Sequence, residues 1–64
     1  MKLYRATFTD ENGNTGSSLS MPQKMVFAYL DARQDSIEQS SIVVEYVATV
    51  SDSDWEDIQA SYMA

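Results

Sequence analysis

The residues best suited to chemistry are four carboxylates in one short stretch late in the chain. Asp52, Asp54, Glu56 and Asp57 fall within six residues and surround Trp55. Carboxylates in such a run can bind a basic protein surface, coordinate a divalent cation, or stabilise the first turn of a helix through its dipole. The rest of the sequence narrows these three uses.

Catalytic side chains are scarce, because the chain contains no histidine and no cysteine. A serine nucleophile needs a positioned base, usually histidine. Lys2 or Lys24 could form a Ser–Lys pair, but an exposed amine stays protonated and is a poor base. Paired carboxylates that hydrolyse glycosides need a cleft, which a chain of 64 residues can hardly enclose. We therefore predict a protein that is not an enzyme and needs no cofactor.

A metal site is also disfavoured. The segment from Asp10 to Asn14 begins like a calcium-binding loop, but Thr15 replaces the required glycine and Met21 replaces the bidentate glutamate. The Asn12-Gly13 pair favours a hairpin turn instead, since both residues tolerate positive φ. The acids from Asp52 to Asp57 have no loop that would enclose Mg²⁺ or Ca²⁺, so no metal site is predicted.

Size and charge set the class of partner. The chain has 10 acidic and 4 basic residues, for a net charge of -6, and its length allows a single domain over residues 1–64. Strong acidity disfavours direct binding to nucleic acid or anionic lipid and favours a basic protein surface. No run approaches the roughly 20 apolar residues of a membrane span, and no signal peptide is evident, so we expect a cytoplasmic protein.

The first elements predicted are two strands of a hairpin. Residues 2–10 alternate with period two, which is typical of a strand with one buried face. A two-residue Asn12-Gly13 loop would place Leu19 opposite Ala6. The returning segment from Asn14 to Leu19 is rich in serine, so we expect a short edge strand or an irregular arm.

A helix, a strand and a second helix follow. Ser20 and Gln23 form a capping-box pattern before a helix that should fray near residues 33–35. The connector, residues 34–40, has Ile37 as its only large apolar residue, and residues 41–50 form the clearest strand. Ser51 or Ser53 should cap the second helix. The apolar stripe of the first helix is Met25, Val26, Tyr29, Leu30 and Ala32, and that of the second is Trp55, Ile58 and Tyr62.

These elements predict an α+β fold of order β-β-α-β-α. Its antiparallel three-stranded sheet would have strand order 2-1-3, with both helices on one face. The covered face would bear Tyr4, Phe8, Val44 and Tyr46. The open face would carry Leu3, Val43 and Val47 among polar residues.

The acidic stretch allows two interpretations, a solvated helix cap and a binding surface. In the second interpretation, it imitates a run of phosphates and is supported by acids elsewhere in the chain. The predicted partner-binding residues are Asp52, Asp54, Glu56 and Asp57, with Asp31, Asp35 and Glu38 as support. Phe27, on the polar side of the first helix, should pack beneath the second helix, or else anchor a partner.

In its size, its charge and its acidic stretch from Ser51 to Asp57, the chain resembles the very small acidic proteins that bacterial viruses encode against host defence. DNA-mimicking anti-CRISPR and anti-restriction proteins are examples. The resemblance implies a DNA- or RNA-binding partner in the host cytoplasm, such as a CRISPR effector subunit, whose nucleic-acid site is blocked. The chain departs from such proteins in its modest charge, since four basic residues interrupt the negative surface.

Two other classes of function stay open. A small adaptor or regulatory subunit would dock through apolar residues such as Phe27, Leu3 and Val47, or through an edge strand at Asn14–Leu19. A structural protein would assemble through the same edge, although we expect a monomer. Salt separates the classes, because charge-driven binding weakens steeply with ionic strength and apolar docking barely changes.

Overall fold

The computed structural model describes residues 1–63, which form three strands and two α-helices. The strands are β1 (Lys2–Thr9), β2 (Thr15–Ser17) and β3 (Val43–Thr49), and the helices are α1 (Gln23–Ala32) and α2 (Asp52–Met63). Two short 3₁₀ helices, Gln34–Ser36 and Gln39–Ser41, connect α1 to β3. The sheet is antiparallel with strand order β2-β1-β3, so the predicted α+β class and strand order are confirmed.

One buried cluster joins the sheet to both helices. Its members come from β1, from α1, from α2 and from the segments on either side of α1. They are Leu3, Ala6, Met21, Val26, Leu30, Ile37 and Trp55. Half-buried Val44 of β3 packs against this cluster, together with Ile42 and Val50, which flank the strand. The core is small, as a chain of this length allows, so each member carries a large share of the stability.

The hairpin between β1 and β2 has a three-residue loop instead of the predicted two-residue loop. Thr9 pairs with Thr15, and the backbone N–H of Asp10 donates to the carbonyl of Asn14 at 2.9 Å. The Asp10 carboxylate accepts from the backbone N–H groups of Asn12 and Asn14, both at 2.9 Å. This side-chain capping favours the longer turn, in which one glycine at positive φ is sufficient. Within residues 1–63 only Gly13 has a positive φ, 81°.

The longer loop shifts the pairing by one residue. Ser18, and not Leu19, lies beside Ala6, because the Ser18 N–H donates to the Ala6 carbonyl at 2.9 Å. The buried Ser18 hydroxyl accepts from the Ala6 N–H at 2.9 Å and donates to the Leu19 carbonyl at 3.0 Å. Leu19 is exposed. A one-residue slip moves every side chain to the other face, which explains why the predicted partner of Ala6 is wrong.

The chain then stays beside β1 for longer than the capping-box pattern predicts. Tyr4 and Met21 exchange two backbone hydrogen bonds, of 2.7 and 2.9 Å. Because Met21 is in extended pairing, α1 begins only at Gln23, and Pro22 takes the cap position without a side-chain hydrogen bond. The predicted Ser20 cap is therefore wrong. The end of α1 at Ala32 agrees with the predicted fraying near Arg33.

The register of β1 against β3 changes between Leu3 and Tyr4. Leu3 pairs with Ala48 and Tyr4 with Tyr46, so Val47 is an extra residue in β3. A strict alternation cannot continue across such an irregularity. Leu3, predicted on the open face, is buried, and Tyr46, predicted on the covered face, is 56% exposed. The predicted exposure of Val47 is confirmed.

The packing of α1 differs from the sequence prediction on its outer side. Val26 and Leu30 are buried and Tyr29 is half-buried, as the apolar stripe predicts, but Met25 is exposed. Phe27 is 48% exposed, so its predicted packing beneath the second helix is wrong. The alternative, that Phe27 anchors a partner, stays a prediction.

Candidate functional site

The acidic stretch lies on α2, which crosses the end of the sheet where β1 begins. Two residues before α2, the backbone N–H of Val50 donates to the carbonyl of Met1 at 2.8 Å. Near its end, the Tyr62 hydroxyl donates to the Ser20 carbonyl at 2.9 Å. Met1 lies just before β1, and Ser20 lies just before Met21, which pairs with Tyr4 of β1. Both contacts are therefore near the end of the sheet where β1 begins, and α2 spans this end of the fold.

Trp55 fixes the orientation of α2. Its side chain is buried in the core cluster, and its ring meets that of Tyr62 edge to face, with centroids 6.3 Å apart. Ile58, one turn after Trp55, is half-buried. The predicted stripe is therefore confirmed at Trp55 and Ile58, whereas Tyr62 is exposed, and the two packed residues determine which side of α2 faces solvent.

Ser51 caps the helix, so the first of the two predicted caps, Ser51 and Ser53, is confirmed. Its hydroxyl accepts from the backbone N–H of Asp54 at 3.1 Å, which satisfies one of the free donors of the first turn. Asp52 and Asp54 lie in that first turn, close to the positive end of the helix dipole. These two acids therefore have a local structural reason for their positions.

Glu56 and Asp57 lie in the second turn, where the dipole effect has largely fallen off. Successive helical residues are separated by about 100°. Asp54 and Glu56 therefore flank Trp55 at about 100° on either side, and Asp57 is roughly opposite it. All four acids, including Asp52, are exposed. Asp54, Glu56 and Asp57 thus lie on the sides of α2 that face away from the core, whereas Asp52, three residues before Trp55, is exposed on the same side as Trp55.

The structure does not bring the three supporting acids to this surface. Asp31 lies in the last turn of α1, Asp35 in the first 3₁₀ helix, and Glu38 just after it. The Glu38 N–H donates to the Thr9 carbonyl at 2.9 Å, which ties this segment to the far end of β1. At about 3.3 Å per residue, the two ends of β1 are about 23 Å apart. A contact made by all seven predicted residues would have to extend along the length of the sheet.

Charge is divided unevenly along the chain. All four basic residues precede residue 34, whereas residues 34–64 contain no lysine, arginine or histidine and hold seven acids. β3 and α2 both belong to this second part. The division is visible in the sequence alone. We call β3 together with α2 the acidic side, and its charge is concentrated on α2, because Glu45, the one acid of β3, lies opposite Arg5 of β1.

Residues 1–63 contain neither a pocket nor a group of three or more His, Cys, Asp or Glu side chains arranged to hold a metal ion. The acids of α2 are spread around its surface and do not converge on one point. A convex charged surface of this kind is suited to contact with another macromolecule. In the same part of the chain, no helix has the length and apolar character that crossing a membrane requires.

Comparisons with protein-family models, with curated proteins and with solved structures found no match to this chain. Function is therefore inferred from the geometry and charge of the α2 surface and from the kind of partner that such a surface can bind.

Proposed function

We propose that this protein is a non-catalytic inhibitor whose acidic surface on α2 binds and blocks the basic nucleic-acid-binding site of a target protein. The observation that carries the proposal is the set of four exposed carboxylates at the start of one anchored helix. Asp52, Asp54, Glu56 and Asp57 are exposed, while Trp55 between them is buried. The charges are therefore displayed on a surface whose orientation the core fixes.

The spacing of these charges supports mimicry of nucleic acid. An α-helix rises 1.5 Å per residue, so Asp52 and Asp57 are about 7.5 Å apart along the axis. The mean axial spacing of the four carboxylates is therefore about 2.5 Å, and duplex DNA carries one negative charge per about 1.7 Å. A groove lined with lysine and arginine for phosphates would therefore meet a similar density of charge on α2.

The likeness in size and charge to inhibitors encoded by bacterial viruses supports a target in host defence. The proposed target is the nucleic-acid-binding subunit of a CRISPR or restriction effector in the host cytoplasm. Blockade needs no chemistry from the inhibitor, since an occupied groove cannot bind DNA or RNA. Because the inhibitor is itself acidic, it would not bind nucleic acid directly.

Capture from a bacterial host lysate tests this proposal. We expect wild-type protein to retain a nucleic-acid-binding protein that the Asp52→Asn/Asp54→Asn/Glu56→Gln/Asp57→Asn variant does not retain, because the variant lacks the charges that attract the basic groove. The eluted proteins are identified by mass spectrometry. Both baits should give the same circular dichroism spectrum, since all four side chains are exposed.

The segment at the far end of the sheet offers a control. The Asp31→Asn/Asp35→Asn/Glu38→Gln variant removes three exposed charges far from α2. We expect this variant to capture the partner as wild type does. Equal loss of capture in both variants would show that total charge, and not the α2 surface, determines binding. Equal capture by all three baits would reduce the acids of α2 to a helix cap.

A second candidate function, a small adaptor that docks through apolar surface, is favoured by the exposure of Phe27. Nearly half of this large side chain contacts solvent. In that case the Phe27→Ala variant would lose the partner, the α2 charge variant would keep it, and added salt would barely weaken the complex.

A further inference from the structure

The outer edge of β3 is a second feature of the acidic side. β3 is the last strand in the order β2-β1-β3, so no strand of residues 1–63 pairs with its outer edge. It has seven residues, compared with three in the opposite edge strand, β2. The longer edge of the sheet is therefore β3, and not the Asn14–Leu19 segment that the sequence suggests for docking.

The hydrogen bonds of β1 identify the free backbone groups of β3. Tyr4 and Ala6 direct their N–H and C=O groups away from β3, toward Met21 and Ser18. In an antiparallel sheet the alternate residues of β1, Arg5 and Thr7, therefore direct their N–H and C=O groups toward β3. Their partners in β3 are Glu45 and Val43. Val44 lies between Val43 and Glu45, and Tyr46 follows Glu45. Both residues therefore direct their N–H and C=O groups outward, away from β1.

This edge has little of the protection usual for exposed strands. Native edges commonly carry lysine, proline or inward charges that prevent pairing with other chains. β3 contains none of these, and its one charged residue is Glu45 on the exposed side. Val43 and Val47 are 50% and 41% exposed, so apolar surface accompanies the free backbone groups. The extra residue Val47 is a bulge, which is the one protective feature of this edge, and it lies beyond Val44 and Tyr46.

We propose that the outer edge of β3 binds an extended, lysine- or arginine-containing segment of the target protein as an added strand. Charge complementarity selects this occupant, because the edge leads through Val50 and Ser51 directly to Asp52 and Asp54. An added strand would therefore pair with Val44 and Tyr46 and carry its basic side chains toward α2. A second copy of the chain would bring two such acidic sides together, which disfavours it. This inference rests on the proposed function and names the kind of target segment that the acidic side binds.

A synthetic peptide with alternating lysine and valine or threonine tests the edge, with amide hydrogen exchange of ¹⁵N-labelled protein as the readout. The matched control is the same peptide with alternate backbone nitrogens methylated, which keeps the charge and removes strand pairing. We expect the unmodified peptide to slow exchange at Val44 and Tyr46 by about tenfold and to shift the resonances of Asp52 and Asp54. The methylated peptide should shift only the α2 resonances.

A variant pair gives an independent measurement. Tyr46→Pro removes an outward N–H without removing a hydrogen bond to β1, and Tyr46→Thr is the control that keeps the N–H. We expect the unmodified peptide to protect Val44 in the Tyr46→Thr protein and not in the Tyr46→Pro protein. If Tyr46→Pro fails to fold by circular dichroism, the comparison of the two peptides decides the question.

Three results would overturn the inference, and they differ in what they imply for the proposed function. Shifts at α2 without protection in β3 would leave the acidic surface intact and show that the edge is not a docking site. No response in either region would contradict both proposals. If amide exchange at Val44 became slower as the protein concentration rose, with no peptide present, a second copy of the chain would be the occupant of the edge.

Discussion

Replacing Trp55 with alanine is expected to remove half or more of the free energy of unfolding of a domain with mid-range stability. Trp55 is the one residue of α2 in the buried cluster, so its loss removes the most deeply buried contact between the helix and the rest of the fold. Truncating a buried tryptophan typically costs about 3–5 kcal/mol. At about 0.05–0.15 kcal/mol per residue, a domain of this size has about 3–10 kcal/mol in total. Thermal and urea denaturation followed by circular dichroism measure the change.

The neighbouring position provides the control for Trp55. Glu56 is exposed, so Glu56→Ala should leave the free energy of unfolding nearly unchanged. Ile58→Ala, at a half-buried position, should give an intermediate loss. A Trp55→Ala protein that kept wild-type stability and lost only its partner would show that Trp55 belongs to the interface and not to the core.

Leu3→Ala is expected to have the next largest effect, about 2–5 kcal/mol of destabilisation, because a fully buried leucine leaves a cavity. Leu3 is 3% exposed, whereas Val47, at the register change, is 41% exposed. The two residues were predicted on the same open face, so Val47→Ala is the matched control and should cost little. Equal effects of the two variants in urea denaturation would contradict the observed register.

The sequence was sufficient for the architecture because each element has a strong local signal. The β-branched run of β3, the alternation of β1 and the apolar stripe of α1 predict the element types and their order. The two serines with an acid three residues later, Ser51 and Ser53, predict the start of α2 to within two residues, and Ser51 is the one whose hydroxyl accepts from the first turn. Such signals depend on neighbours along the chain, and that is why they can be read directly.

The details in which the structure differs from the sequence prediction depend on contacts between distant residues, or on local contacts that compete with the predicted ones. The loop at Gly13 is longer than predicted because the Asp10 carboxylate caps it. The start of α1 is delayed because Met21 pairs with Tyr4, a contact across the fold that no local pattern indicates. The burial of Leu3 follows from an extra residue in the facing strand. Period-two reasoning applies to a single strand and cannot detect that residue.

The candidate site also has features that a local sequence pattern predicts and features that depend on the fold. The exposure of Asp52 to Asp57 around a buried Trp55 follows from helical periodicity and could be predicted. The separation of Glu38 from these acids could not, because it depends on which end of β1 receives the segment after α1. Acids of the same charge therefore lie at opposite ends of the sheet, so composition predicts the sign of the surface and topology determines its extent.

The most direct test of the acidic surface is competition on a purified target. The captured partner is bound to wild-type protein, and its DNA or RNA ligand is added in a titration at several salt concentrations. We expect nucleic acid to displace the inhibitor, the complex to weaken steeply as salt rises, and the α2 charge variant to compete poorly. A stable ternary complex of target, nucleic acid and inhibitor, with little dependence on salt, would contradict the proposal that α2 occupies the nucleic-acid site.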